Sequence, residues 1–388
     1  MLIQRLTLRN LLSFGPNTPE LLLDRLNVLI GPNGSGKSNL IEAIGLLQAA
    51  PKDLTGPIRE GGGVQDWIWK GKKKLQIASI EAVIENPKGA VPLRYHLAFT
   101  EIGQRFQLSD ERIENERPDK GHSDPYFYFR YEHGRPVINL RDSGHRGLQH
   151  EEIDPEQSIL SQRKDPDQYP ELTYLGETFS RIRIYREWSF GRYTAPRLPQ
   201  KADLPNNLLE EDARNLGLVL NRFKANPTVK KKLINELRKL YEGIDDFDVI
   251  IEGGTVQLFL QEGDITVPAT RLSDGTLRYL CLLAILCHPN PPPLICIEEP
   301  ELGLHPDILP TLVDLLRDAS DRTQIIVTTH SDMLVDALSD TPGSVVVCEK
   351  HDGQTEMRRL DKKELKDWLD KYSLGELWRR GELGGTRW

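Results

Sequence analysis

Apolar and polar positions alternate from Leu2 to Phe14, which predicts a strand, and Glu20–Leu26 offers it a partner. Val28–Ile30 is a short apolar run that reads as a buried strand. A glycine-rich turn follows, then a helix-like stretch that begins after Lys37 and ends near Ala50-Pro51. From Thr55 to about Pro170 the pattern changes. Short alternating pieces, Leu75–Ile84, Pro92–Thr100, Arg105–Ile113, Tyr126–Glu132 and Pro136–Leu140, are separated by turn residues, as in an antiparallel meander. Pro170–Glu187 reads as a helix passing into a strand at Ile182–Tyr185. Leu208–Lys224 and Thr228–Tyr241 read as amphipathic helices, and Val249–Glu252, Val256–Gln261 and Ile265–Val267 as a second small strand set.

Beyond Asp274 the chain predicts a helix to Cys287, apolar nearly all round and therefore buried. Strands at Leu294–Ile297, Ile325–Thr328 and Val345–Cys348 then alternate with helices at Ile308–Asp318 and Asp332–Leu338. Apolar strands alternating with helices predict a parallel sheet covered on both faces, which Val28–Ile30 should join from far away in sequence.

With 388 residues the chain has room for two lobes, and 38% hydrophobic with 28% charged residues is an ordinary soluble balance. The net charge of −8 argues against a protein that coats nucleic acid, although a local basic groove is compatible with it. Cys281, Cys287, Cys296 and Cys348 form no CxxC pair, and three lie in apolar runs; buried free thiols in a reducing compartment are expected. The N-terminal MLIQRLTLRN alternates as a strand does and is not a signal peptide, and no apolar run reaches membrane-spanning length. A cytoplasmic location without a membrane partner is the expectation.

The chemistry begins at Asn27–Leu40, NVLIGPNGSGKSNL. The spacing of Gly31, Gly36, Lys37 and Ser38 fits a phosphate-binding loop between a strand and a helix. Glycines let successive N–H groups face one concavity, and the helix N-terminus adds its positive end. Lys37 would reach the β- and γ-phosphates and Ser38 would offer its hydroxyl to Mg²⁺. Pro32, Asn33, Gly34, Ser35 and Asn39 complete the candidate cradle. In LICIEEPELGLHP a buried strand ends in Glu298 and Glu299: the first can hold Mg²⁺, the second can orient and polarise a water. In RLSDGTLRYL, Ser273 and Gly275 open a buried helix; an ordinary N-cap explains them, and so does a phosphate site. IIVTTHSD delivers His330 at a strand end, and Gln162 lies where a γ-phosphate-sensing, metal-side glutamine would fall in the chain order.

Together GPNGSGKS, LSDGT, LICIEEPELGLHP and TTHS resemble the ATP-binding-cassette (ABC) ATPases of the RecF, SMC and OLD group. EPELGLHP is similar to the branch called AAA15 or AAA-21. The C-terminal LKDWLDKYSLGELWRRGELGG resembles the tail of ATPases encoded beside a TOPRIM-type protein, among them that of the PARIS anti-phage systems. The resemblance implies an α/β fold: a P-loop ABC-ATPase head with a mixed sheet, an antiparallel β-rich lobe and a helical lobe. It places the ATPase core at 1–50 and 270–350, the β-rich lobe at 51–190, the helical lobe at 191–269 and a tail packing on the core at 351–388.

It also implies a homodimer, or a higher homo-oligomer, that sandwiches ATP with Mg²⁺. Residues Gly31 to Ser38 of one copy would cradle the phosphates, and Ser273 and Gly275 of the other would reach the γ-phosphate. Glu299 would be the base, His330 would hold γ-phosphate and water, and Gln162 would relay nucleotide state. Glu298 stands where the group usually has Asp; its extra methylene shifts the Mg²⁺-side carboxylate and implies slow hydrolysis. Residues 190–245 are too short for a long SMC coiled coil. The 58 residues after His330 leave no room for a TOPRIM nuclease, although VVVCEKHDG looks like the start of one.

The leading expectation is therefore an ATP-driven dimeric switch in anti-phage defence or DNA repair, acting with a separate effector such as a TOPRIM-type nuclease. The alternative is a RecF-like factor that binds DNA itself. Its groove would use Lys230-Lys231-Lys232 and Arg238-Lys239, otherwise a solvated helix face, and the aromatic run Tyr126–Tyr131, otherwise plain strand alternation. A transporter subunit fits less well with the meander and the EPELGLHP wording.

Overall fold

The computed structural model describes residues 1–71, 76–87, 89–132, 134–140, 144–147, 153–186 and 188–385; the expected strand start at Leu75 and segment end at Glu187 lie outside them. In chain order, β1 (Ile3–Arg9), β2 (Leu21–Leu22) and β3 (Leu26–Ile30) lead through the glycine-rich turn into α1 (Lys37–Ala49). Two short helices, α2 (Thr55–Glu60) and α3 (Val64–Trp67), precede the strands β4 (Ala78–Ile84), β5 (Leu93–Ile102), β6 (Arg105–Asn115), β7 (Phe127–Glu132), β8 (Arg135–Leu140) and β9 (Gly144–Gly147). Then come α4 (Ile159–Gln162), α5 (Pro170–Ser180), β10 (Arg183–Tyr185), β11 (Gln200–Lys201), α6 (Leu216–Lys224), α7 (Pro227–Leu240), β12 (Asp246–Glu252), β13 (Thr255–Glu262) and β14 (Ile265–Pro268). The last stretch runs α8 (Asp274–Leu286), β15 (Leu294–Glu298), α9 (Leu309–Ser320), β16 (Gln324–Thr328), α10 (Asp332–Asp336), β17 (Val345–His351), β18 (Gln354–Arg359), α11 (Lys366–Leu369) and α12 (Leu374–Arg379).

The expected apolar strands form one sheet in the order β10-β15-β16-β3-β17-β18. Its first five strands are parallel and β18 returns antiparallel, so the sheet is mixed, and β3 joins it between β16 and β17. Alternate residues of each strand enter different cores, because side chains leave a strand on opposite faces. Val28, Ile30, Ile295, Ile297, Ile325 and Val327 pack toward α6–α9. Leu29, Leu294, Cys296 and Ile326 pack toward α1 and the meander. Both faces are covered, which is why these strands are continuously apolar.

The meander is an eight-stranded antiparallel sheet, β2-β1-β4-β5-β6-β7-β8-β9. Buried Gln324 fastens it to the mixed sheet: its Oε1 accepts from Ile3 N–H at 2.8 Å, and its Nε2 donates to the carbonyls of Ile3 and Asp24 at 2.7 and 3.0 Å. A small sheet of β11–β14 packs with α6–α8 in the first core. The four cysteines are buried free thiols. Among the described residues, no helix is long and apolar enough to cross a membrane.

Several boundaries differ from expectation. The strand expected over Leu2–Phe14 stops at Arg9 because Asn10 and Leu12 take left-handed φ values of 49° and 52° and turn the chain. Its partner shrinks to Leu21–Leu22. The helix expected from Leu208 starts only at Leu216: Asn215 accepts from Glu210 N–H and donates to the carbonyls of Pro205 and Leu208, holding a loop instead. The aromatic run follows strand alternation, with Phe127 and Phe129 buried and Tyr126 exposed. In α7, Lys230 pairs with Asp246, Lys232 with Asp318, Arg238 with Asp245 and Lys239 with Glu236, so most of that basic run is neutralised within the chain.

Candidate functional site

Gly31, Gly34 and Gly36 of the loop between β3 and α1 all take positive φ, and at Gly31 and Gly36 the neighbours also leave no room for a side chain. Gly31 has φ +149°, and a Cβ there would lie 2.2 Å from Cys348 O; Gly36 has φ +100°, and its Cβ would lie 2.1 Å from Thr355 Oγ1. The β17–β18 hairpin thus presses on the loop from behind. Fully buried Thr355 donates its hydroxyl to Ser35 O at 2.9 Å and shares a hydroxyl–hydroxyl hydrogen bond with Ser13 Oγ at 2.6 Å. Helix α1 starts without a side-chain cap, which leaves its first-turn N–H groups for an anion. The Lys37 ammonium folds inward and donates to Gly31 O at 2.7 Å and Pro32 O at 3.1 Å. Burial lowers its pKa, against the pull of Glu299 and Glu298. Asn33 and Gly34 form an exposed rim and Asn39 is half-buried.

Strand β15 ends at Glu298, and Glu299 follows at φ +45°, a left-handed geometry that costs a non-glycine residue roughly 1–2 kcal/mol. Three contacts hold it there. Its N–H donates to Thr328 O at 3.0 Å and Thr328 Oγ1 at 3.3 Å, and its carbonyl accepts from Arg278 at 3.3 Å. Neighbouring β16 delivers His330, whose Nε2 lies 3.7 Å from Glu299 Oε1. Burial, then nearby Lys37, hold the His330 pKa below its ordinary value, with Glu299 opposing, so the imidazole is neutral at neutral pH. Glu301 accepts from Thr329 Oγ1 at 2.6 Å and from His330 N–H at 3.0 Å, which fixes the turn carrying the histidine. Burial raises the Glu301 pKa.

On the other side, burial raises the Glu298 pKa, against the pull of Arg186 and the Ser38 hydroxyl. Arg186 Nε stands 3.4 Å from Glu298 Oε1, and Arg186 Nη2 donates to Glu42 at 2.8 Å. The buried Ser35 hydroxyl has no hydrogen-bond partner, and Glu298 Oε1 has none beyond its ion pair with Arg186. The free Ser35 hydroxyl, the under-satisfied carboxylate and the uncapped helix fit a triphosphate with its divalent cation: N–H and O–H donors on the phosphate side, hard oxygens from Ser38 and Glu298 on the cation side.

The structure therefore brings Lys37, Ser38, Glu298, Glu299 and His330 together. Ser273 stands elsewhere, exposed at the head of α8, where its hydroxyl accepts from Thr276 N–H at 3.0 Å. Gly275 lets the 299–306 turn pack on that helix end, since a Cβ there would lie 2.6 Å from Gly303 O. Gln162 does not join the cluster. Its Oε1 accepts from Asp154 N–H at 2.7 Å and its Nε2 donates to Gln157 O at 2.9 Å, so its amide is taken up by the adjacent loop.

Sequence reasoning missed Arg186, Glu42, Glu301 and Thr355. Glu42 was within reach, being four residues from Ser38 and so on the same helix face. Arg186 carried no signal, because it follows a three-residue strand.

Residues 26–336 match the AAA_21 family, described as "AAA domain, putative AbiEii toxin, Type IV TA system". Chromosome partition protein Smc of Mycolicibacterium paratuberculosis is 31% identical over 98 residues, 24% of this chain and 8% of that protein. Smc of Bacillus subtilis is 29% identical over 101 residues, 25% of this chain and again 8% of its relative, so the match spans only a small part of these curated relatives. Among solved structures, an Smc head bound to the C-winged helix domain of ScpA superposes with TM-score 0.56 at 17% identity, covering 94% of this chain and 99% of that one. The Smc head with an extended coiled coil, bound to the C-terminal domain of ScpA and derived from Pyrococcus furiosus, gives TM-score 0.55 at 13% identity, covering 95% and 99%. At these identities the likeness shows the fold: an α/β ATPase head with mixed sheets and helices.

Proposed function

We propose, from the premise that this chain belongs to the AAA_21 family and is an ABC-class ATPase of the RecF/SMC-like kind, that two copies dock head to tail and work as a slow ATP-driven switch. The observation that carries this reading is the gathering of Lys37, Ser38, Glu298, Glu299 and His330 beside the ends of β3, β15 and β16, with Ser273 exposed on a different helix. Such a site has a base and a phosphate cradle, and receives its second γ-phosphate contact from a neighbour.

In this reading the backbone N–H groups that residues 33–39 offer, with the Lys37 ammonium, bind the phosphates of ATP, and Gly31 and Pro32 shape the turn. Ser38 and Glu298 would hold Mg²⁺, which when bound neutralises charge on the phosphate oxygens. Glu299, fixed by Thr328 and Arg278, takes the proton of the attacking water. Neutral His330, held by Glu301, donates to the γ-phosphate side. Ser273 and Gly275 of the partner copy close the site with the N-terminus of α8. The length of Glu298 and its tie to Arg186 favour slow turnover. Gln162 has no part in this mechanism, because its amide is bonded within its own loop. The division into an ATPase core at 1–50 and 270–350, lobes at 51–190 and 191–269 and a tail at 351–388 belongs to the same proposal.

The family description names a toxin system, and the two solved Smc heads are each bound to a domain of ScpA. Both support a switch that acts on a separate effector, for which a TOPRIM-type nuclease in anti-phage defence is the reading we favour over DNA repair. The direct DNA-binding alternative loses support from α7, where Lys230, Lys232 and Lys239 are paired within the chain. The test is Glu299→Gln: size-exclusion chromatography with light scattering should give a dimer with ATP and a monomer without it, and an unchanged mass would sink the composite site.

A further inference from the structure

Arg186 lies at the C-terminal end of β10, beside the strand that carries Glu298. Its guanidinium bridges two carboxylates, Glu42 on α1 and Glu298 on β15. Glu42 stands one helical turn beyond Ser38, so the bridge borders the oxygens that would meet a divalent cation. A cation there and Arg186 are drawn to the same carboxylate and repel each other.

From Trp188 the chain runs past Arg278 toward the start of α8. Trp188 and Phe190 flank the Arg278 guanidinium, 5.6 and 5.2 Å from the ring centroids, and Arg278 in turn bonds the Glu299 carbonyl. Buried Arg197 donates to Phe190 O at 2.8 Å, to Leu272 O at 2.5 Å and to Ala269 O at 3.3 Å, and pairs with Asp274. Residues 188–197 therefore form a strap that begins two residues after Arg186 and ends on the segment that presents Ser273.

We infer that Arg186 is a positioning residue that reads metal occupancy: a divalent cation on Glu298 competes with the Glu42–Arg186–Glu298 bridge, and the strap carries that exchange to the Ser273 end of α8. The inference rests on the nucleotide-site reading above.

The test uses the full-length chain with a non-hydrolysable ATP analogue. Mn²⁺ is titrated by electron paramagnetic resonance, and Trp188 emission is taken as the difference from Trp188→Phe. In the wild type, Trp188 emission should change in step with Mn²⁺ saturation. Arg186→Gln should lower half-saturating Mn²⁺ by about tenfold, the order expected for losing one nearby charge in a partly wet site, and should abolish the Trp188 response. Arg186→Lys should restore part of both. Glu42→Gln, which removes a local negative charge and leaves Arg186 to Glu298 alone, should raise half-saturating Mn²⁺. Equal half-saturation in wild type and Arg186→Gln, a retained Trp188 response in that variant, or a shift of the same sign in Arg186→Gln and Glu42→Gln would overturn the inference. If a fluorescent ATP analogue binds the wild type while Mn²⁺ behaves in one of those ways, only this inference falls; if the analogue does not bind, the nucleotide-site reading falls first.

Discussion

At the residue scale the proposed chemistry turns on Glu299, held in a left-handed conformation with His330 3.7 Å away. A carboxylate held at that cost by Thr328 and Arg278 is consistent with an aimed base. Glu299→Gln should keep nucleotide affinity and lower kcat by about 10²–10⁴-fold, as measured by phosphate release. The lowered pKa of His330 has a sign consequence. The ring is neutral through pH 7 and gains its proton only on the acid side of the ordinary histidine value of 6.5, so a pH–rate profile should stay flat near neutrality and fall below that value. A decline beginning above pH 6.5 would argue against a neutral His330. The glycines, Lys37, the paired carboxylates and the strand-end histidine were legible in the sequence because each sits at a fixed offset from an apolar strand. Glu301, Arg186 and Thr355 were not, because what makes them matter is contact across the fold: Thr355 reaches Ser35 over 320 positions.

At the element scale the core strands were legible for a simple reason: burial on both faces removes polar residues, and β3, β15 and β16 announce themselves as apolar runs. Boundaries failed where a single side chain or backbone angle decides, as at Asn10, Leu12 and Asn215. The loop before α1 depends on β18, which sequence reasoning did not anticipate. Gly36→Ala should therefore abolish binding of a fluorescent ATP analogue and lower the melting temperature, since its Cβ would meet Thr355 and Ser13. Within the meander, Glu111 of β6 is wholly buried; it accepts from Tyr95 Oη at 2.8 Å, Ser158 Oγ at 2.5 Å and Ile159 N–H at 2.9 Å, tying β5 and the start of α4 together. Burial raises its pKa to about 7 from 4.5. The folded chain thus binds the extra proton between those values. The stability that proton gives is full below pH 4.5 and is lost as pH rises through about 7, on the order of 3 kcal/mol in all. Melting curves of wild type minus Glu111→Gln should show that decline, and a difference independent of pH would refute it.

At the scale of the whole molecule, one sheet collects the cradle, the carboxylates and the histidine, while the Ser273 helix end faces outward. That layout, together with family membership, points to a dimer that shares its sites. If the site is shared, a cradle-dead chain and a Ser273-dead chain should complement each other. Mixing Lys37→Ala with Ser273→Arg leaves one intact composite site in each mixed pair, so ATPase activity should return although neither variant is active alone. The most direct measurement is light scattering of Glu299→Gln with and without Mg·ATP. The mass should double with Mg·ATP, and adding Ser273→Arg to the same chain should abolish the doubling; a Glu299→Gln chain that binds ATP yet stays monomeric would rule out the shared site.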